Sequence, residues 1–140
     1  MKALDNLVKA KSLKPELPDA KEFAGMCRAG ETKLNDALIQ GLSKDSQFSL
    51  AYGAAHALSL AALRWHGYRS DNRYLVFQCL QHTLGLDSAK WRVLDKCHKV
   101  RNLAEYEGHL EVNPQLLKEL ISISKEILGL VKALPPIESA

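Results

Sequence analysis

The sequence predicts an all-α protein, an up-and-down bundle of four to five helices, and three observations carry that expectation. Apolar residues recur at intervals of three and four, without the sustained alternation of β-branched residues that strands need. Proline and glycine punctuate the chain at spacings that leave segments of helical length between them. One of those segments, SLAYGAAHALSLAALRW (Ser49–Trp65), is apolar nearly all round and so belongs at the centre of a bundle.

The elements follow in order. Lys2–Leu13 reads as a short amphipathic helix with Leu4, Leu7 and Val8 on one side, stopped by KPELPD, where Pro15 and Pro18 break any helix. Asp19 and Glu22 form a D-x-x-E capping signature for a long helix reaching about Leu42. Its apolar positions include Phe23, Met26, Leu34, Ala37, Leu38 and Leu42, while Gly25 and Gly30 weaken it, so a bend or break near Gly30 is allowed. The next helix runs from about Ser46 to His66 and ends at Gly67, a C′ glycine. Its Gly53, Ala54, Ala57 and Ala61 admit the close approach of another backbone.

The polar connector YRSDNR leads into YLVFQCLQHTL, which ends at Gly85. Asp87 or Ser88 caps AKWRVLDKCHKVRNLAEYE, closed by Gly108. Asn113-Pro114 supplies an N-cap with proline at the first helical position, and the stripe of QLLKELISISKEILGLVKAL runs to Pro135-Pro136. The final IESA reads as a loose tail. Short loops between long helices imply antiparallel neighbours.

Length and composition bound the rest. At 140 residues the chain fits one domain, a bundle over 19–134 with an N-terminal extension (1–18) and a tail (135–140). With 46% hydrophobic and 25% charged residues it is of ordinary globular composition. A net charge of +3 and a pI of about 8.8 permit nucleic-acid contact without arguing for it. The three cysteines, Cys27, Cys79 and Cys97, form no CxxC pair and fit a reducing compartment, so a cytoplasmic location is expected. The opening KALDNLVKAKSLK has no apolar core of signal-peptide type. Ser49–Trp65 falls short of the roughly 20 residues of a membrane span and carries Tyr52 and His56.

The stretch DKCHKVRNLAEYEG (Asp95–Gly108) concentrates polar residues beside a buried stripe. At 100° per residue His98, Asn102 and Tyr106 stack on one face, with Asp95 near the same line, and Arg101 and Glu105 form the adjacent row. Leu94, Cys97, Val100 and Ala104 face the core. Near a helix C-terminus an arginine can meet orphan carbonyls or an anion. A solvated Arg101–Glu105 pair and a half-buried Tyr106 would equally satisfy the periodicity.

The order of helices, with YGAAHALSLAALRWHGYRSDNRYLVFQCLQHTLGL followed by HKVRNLAEYEG, resembles the HEPN superfamily over roughly Ala20 to Leu134. Members of that family are compact helical bundles, typically dimeric, often encoded beside minimal nucleotidyltransferases in toxin–antitoxin or defence systems. The family hallmark is an arginine, usually followed by a polar residue, with four positions between the arginine and a histidine. Active members are metal-independent ribonucleases whose arginine and histidine converge at the dimer interface. On this pattern Arg101 matches the arginine, Asn102 the polar residue and Tyr106 the histidine position. Tyrosine titrates near 10 and histidine near 6.5, so Tyr106 can donate to a phosphate oxygen but is a poor general base. His98, one turn before Asn102, could stand in for the missing imidazole, whereas His109 lies beyond Gly108 and is no simple register shift.

Other constellations carry less. Cys79 with His82, and Cys97 with His98, lack the four convergent ligands of a zinc site, and no metal or cofactor is expected. His56 faces either the motif helix or a hydrogen-bonding partner at the core edge. In the connector Tyr68–Tyr74, Arg69, Arg73 and Tyr74 suit phosphate contact and base stacking, or else a solvated loop whose Ser70 or Asp71 caps the next helix. Arg64, Arg69, Arg73, Arg92 and Arg101 together would form a modest basic face. No glycine-rich phosphate loop, Ser-His-Asp order or metalloprotease motif occurs. The resulting expectation is a non-catalytic homodimer that binds RNA, a nucleotide or a nucleotidyltransferase-like partner, with no membrane role. A toxin-type ribonuclease using Arg101 and a helical scaffold without ligand are the alternatives.

Overall fold

The computed structural model describes residues 1–10, 12–108 and 111–137. Among the described residues the chain is all-α apart from one minimal ladder. Its helices are α1 (Lys2–Lys9), α2 (Ala20–Ala37), α3 (Lys44–Trp65), α4 (Arg73–Gln78), α5 (Leu80–Thr83), α6 (Ser88–Glu107) and α7 (Pro114–Lys132). The expected absence of strands is corrected by β1 (Lys14–Pro15), which pairs antiparallel with β2 (Tyr68–Arg69). Two residues a side are too few to show a period in the sequence.

Helix α3 is the hub, in contact with α2, α4, α5, α6 and α7. That position follows from its composition: Phe48, Ala51, Tyr52, Ala55, Leu58 and Ala62 all enter the main core, which α6 fills with Trp91, Leu94 and Cys97 and α7 with Leu120 and Ile127. A second, smaller core lies at the N-terminal extension. Leu4 and Leu13 are buried there against Leu63, Tyr68, Leu75, Val76 and Cys79. The extension is therefore packed structure, and the Tyr68 hydroxyl fastens it by donating to Asp5.

Several boundaries depart from expectation for local reasons. Helix α2 ends at Ala37, short of Leu42, where the Gln47 side chain donates to the Ala37 carbonyl (3.1 Å) and so supplies a partner that the helix end lacks. It runs unbroken through Gly30, where a Cβ would lie 2.6 Å from the Leu58 side chain. The glycine serves the close approach of α2 and α3, not a bend. Asp19 caps α2 as read, accepting from Lys21, but Glu22 is drawn away to arginines. The YLVFQCLQHTL segment divides at Cys79, and its cap is Asn72, which accepts from the Leu75 amide at 3.1 Å in place of Ser70 or Asp71. Gly67, Gly85 and Gly108 have positive φ, as their terminal positions ask.

Arg64 ties α3 to the Glu16–Leu17 segment and to the first turn of α2. Only 2% exposed, it donates through Nε to Glu22 (2.6 Å), through Nη1 to the Glu16 carbonyl (2.9 Å) and through Nη2 to the Leu17 carbonyl (2.9 Å). Arg69 reaches the same carboxylates, Glu16 at 2.5 Å and Glu22 at 2.8 Å. At the other end of the chain the Trp65 indole donates to the Pro135 carbonyl (2.8 Å), so the tail begins anchored; Glu138–Ala140 lie outside the described residues. No helix among the described residues is long and apolar enough to cross a membrane.

Candidate functional site

The polar segment of α6 meets the open stripe of α3. Tyr52 and His56 sit one turn apart on α3, His98, Arg101 and Asn102 approach from α6, and Arg73 enters from the start of α4. The Tyr52 hydroxyl and His98 Nδ1 are 2.8 Å apart, with the two rings only 13° from parallel. Asn102 Nδ2 lies 3.2 Å from His98 Nε2. The Tyr52 hydroxyl and the Asn102 amide, each able to donate or accept, thus occupy the two ring nitrogens of the neutral imidazole. The histidine is held at both nitrogens.

Two guanidiniums share the Tyr52 ring. The Arg73 carbon lies 5.5 Å and the Arg101 carbon 5.2 Å from its centroid, both within cation–π range. Phe77 meets the same ring edge-on and also packs edge-on against His56. The aromatic floor explains why the cations gather on an otherwise apolar helix. Arg101 has an exposed partner, Glu105, at 3.5 Å, a weak, solvated pair. Arg73 has no carboxylate partner among the described residues.

The field of this cluster is positive. Burial lowers the His56 pKa from 6.5 to about 4, reinforced by the charges of Arg73, Lys33, Arg101 and His98. His98 is lowered as well, chiefly by burial, then by Arg73, with Asp95 opposing. Both imidazoles are thus neutral at pH 7. Lys33 of α2 lies along Gly53, whose missing side chain leaves room for it: a Cβ there would be 3.4 Å from the lysine Cδ.

The residues expected from the sequence separate into two groups. The structure brings His56, Arg73, His98, Arg101 and Asn102 into one cluster. Tyr106 stands apart, 95% exposed and without a hydrogen-bond partner among the described residues, so the phenol in the cluster is Tyr52. Tyr74 packs edge-on against Trp91 instead of joining the cations. The basic face is smaller than five arginines, since Arg64 is buried and Arg69 is ion-paired twice. His109 falls outside the described residues. Sequence reasoning passed over Tyr52 and Lys33; the signal for Tyr52 was a phenol and a histidine four apart on a helix that is otherwise apolar.

Among the described residues no group of three or more His, Cys, Asp or Glu could hold a metal ion. Burial pushes Cys79 up to about 11 and Cys97 up to about 12, so both are protonated thiols, poor ligands and poor nucleophiles. What the cluster can do is attract an anion to two guanidiniums and a lysine, with neutral imidazoles beside it to exchange hydrogen bonds. Comparison with protein-family models, curated proteins and solved structures gave no match.

Proposed function

We propose that this is a HEPN-like helical bundle protein, cytoplasmic and homodimeric, that acts as a non-catalytic binding or regulatory component by holding the phosphates of RNA or of a nucleotide. A nucleotidyltransferase-like protein would be its functional partner. The observation that carries the phosphate reading is the convergence of Arg73 and Arg101 on Tyr52, with Arg73 free of any carboxylate among the described residues. Guanidiniums beside an aromatic platform suit a phosphodiester with a base next to it. Support for association comes from the last turns of α6, where Leu103 and Tyr106 project into solvent, and from Leu38 and Ile39 beyond α2. The small Ala57 on the open stripe of α3 would let a second copy approach closely.

The test is fluorescence anisotropy with a labelled single-stranded RNA in metal-free buffer, beside light scattering for the oligomeric state. Wild-type protein binds as a dimer, and Arg73→Ala and Arg101→Ala each weaken binding while circular dichroism stays unchanged. Binding that is indifferent to both substitutions, or a strictly monomeric protein, removes the respective half of the reading.

One observation favours a second reading, a metal-independent ribonuclease. His98 supplies beside Arg101 the neutral, oriented imidazole that Tyr106 cannot. Cleavage of the same RNA that vanishes in both His98→Ala and Arg101→Ala would establish it.

A further inference from the structure

Beside the cluster opens a cavity of about 460 Å³, toward the small end of the roughly 300–1,000 Å³ typical of small-molecule sites. Its walls come from parts of the chain far apart in sequence. Lys14 belongs to β1, His56 and Leu60 to α3, Ser70 and Asp71 to the loop after β2, and Arg73 to α4. The cavity exists because the two-residue ladder brings the N-terminal extension against that loop, so β1 acts as its wall. Arg69 also lines it but is spent on Glu16 and Glu22.

The side chains left over have complementary chemistry. Lys14 and Arg73 are cations without a carboxylate partner among the described residues, and Asp71 is a carboxylate without a cation. Ser70 Oγ accepts from the Asn72 amide at 3.1 Å, which leaves its proton to donate inward. His56 has neither ring nitrogen hydrogen-bonded among the described residues; being neutral at pH 7, it offers one donor and one acceptor. Leu60 supplies an apolar patch. A simple anion would be repelled by Asp71 and would leave Leu60 unused. A ligand with an anionic group, neighbouring hydroxyls and a carbon framework uses every wall.

We propose that this cavity binds a phosphorylated sugar unit, the ribose 5-phosphate portion of a nucleoside monophosphate, with Lys14 and Arg73 toward the phosphate and Asp71 toward the sugar hydroxyls. The inference deepens the phosphate-binding reading and rests on it for the shared residue Arg73. The unit comes either from a free nucleotide or from the 5′-phosphorylated end of an RNA strand, and the chemistry recognised is the same.

The experiment is NMR of the His56 ring in the full chain at pH 7, titrated with 5′-AMP, ribose 5-phosphate, adenosine and inorganic phosphate. AMP and ribose 5-phosphate shift the His56 signals saturably and adenosine does not. Lys14→Ala and Arg73→Ala each weaken AMP about tenfold or more, the effect of losing a charged hydrogen bond. Asp71→Asn weakens AMP and ribose 5-phosphate but not inorganic phosphate. Lys14 and Asp71 are exposed, so these variants keep the fold. Displacement of AMP by 5′-phosphorylated RNA, but not by its 5′-hydroxyl twin, assigns the unit to a strand end; displacement by neither assigns it to the free nucleotide. A silent His56 at millimolar AMP and ribose 5-phosphate, or an affinity that ignores Lys14→Ala and Arg73→Ala, overturns the inference. RNA binding that is lost in Arg101→Ala alongside a silent His56 leaves the strand-binding reading standing without the cavity. An AMP response without RNA binding does the reverse.

Discussion

His98 and Tyr52 are joined by a 2.8 Å hydrogen bond across the α3–α6 interface, and their rings lie 13° from parallel. The bond fixes the imidazole, Asn102 fixes its other nitrogen, and the phenol ring so positioned is the one that Arg73 and Arg101 approach. One side chain on the central helix thereby organises groups from two other elements, α4 and α6. Tyr52→Phe should keep the ring and the cations but free His98 Nδ1. The expected outcome is a loss of about 1 kcal/mol in stability, the net worth of one hydrogen bond. Chemical denaturation measures that loss, and nitrogen NMR should show the His98 Nδ1 signal shift as its Tyr52 partner is removed.

Arg64 predicts the largest effect. Its guanidinium is buried with three backbone carbonyls, those of Glu16, Leu17 and Tyr68, and Glu22 as acceptors. Arg64→Ala should destabilise by about 3 kcal/mol, near the lower end for breaking a buried charged network because Arg69 still pairs with both carboxylates. Urea unfolding followed by circular dichroism measures it. A change under about 1 kcal/mol would mean that water replaces the arginine at little loss.

Glycines offer a paired test of the α2–α3 contact. Gly30→Ala puts a methyl 2.6 Å from Leu58 Cγ, so overpacking of roughly 1–3 kcal/mol should outweigh the gain in helix propensity. Gly129→Ala in α7 meets nothing within 4 Å and should stabilise by about 0.5–1 kcal/mol. Thermal melts of the two variants should therefore move in opposite directions.

How much of this was legible beforehand differs between fold and site. Long helices announce themselves through many repeated positions: α3, α6 and α7 lie close to where periodicity, Asp87, Gly67, Gly108 and Asn113-Pro114 put them. The ladder between Lys14–Pro15 and Tyr68–Arg69 depends on a contact about 50 residues away in sequence and leaves no local pattern. Glu22 shows the same limit. Three residues after Asp19 it has the sequence of a capping box, yet buried Arg64 offers it a stronger, charged partner. In the site, the α6 face through His98 and Asn102 was readable from 100° spacing, because it lies on one helix. Which phenol completes it was not. Tyr106 shares the helical face but projects beyond the bundle, whereas Tyr52 comes from another helix, and only the packing of α3 against α6 brings it there.

The pH dependence of stability follows from the histidines. Folding lowers the His56 pKa from 6.5 to about 4, so between those values the unfolded chain binds more protons than the folded one. Stability from this group is whole above about pH 6.5 and is lost as pH falls, amounting to roughly 3 kcal/mol by pH 4. His66 and His98 shift in the same direction and add to the slope. Denaturation midpoints should therefore fall from pH 7 to pH 4.5, and His56→Gln should flatten the curve.

Salt dependence separates the cations that meet a ligand from those that hold the fold. For a single strand, log K falls with log salt by about 0.7 for each phosphate neutralised. Arg73→Ala and Arg101→Ala should each weaken RNA binding and make that slope shallower by about 0.7, because each removes one phosphate contact. Tyr106→Phe should leave both affinity and slope unchanged, as its phenol stands clear of the cluster. Arg69→Ala should leave the slope alone and lower stability instead, since that guanidinium is already neutralised by Glu16 and Glu22. Anisotropy titrations across a salt series, with melting curves of the same four variants, check all of these at once. A slope that falls in Arg69→Ala and not in Arg73→Ala would move the binding face to the β2 side of the molecule.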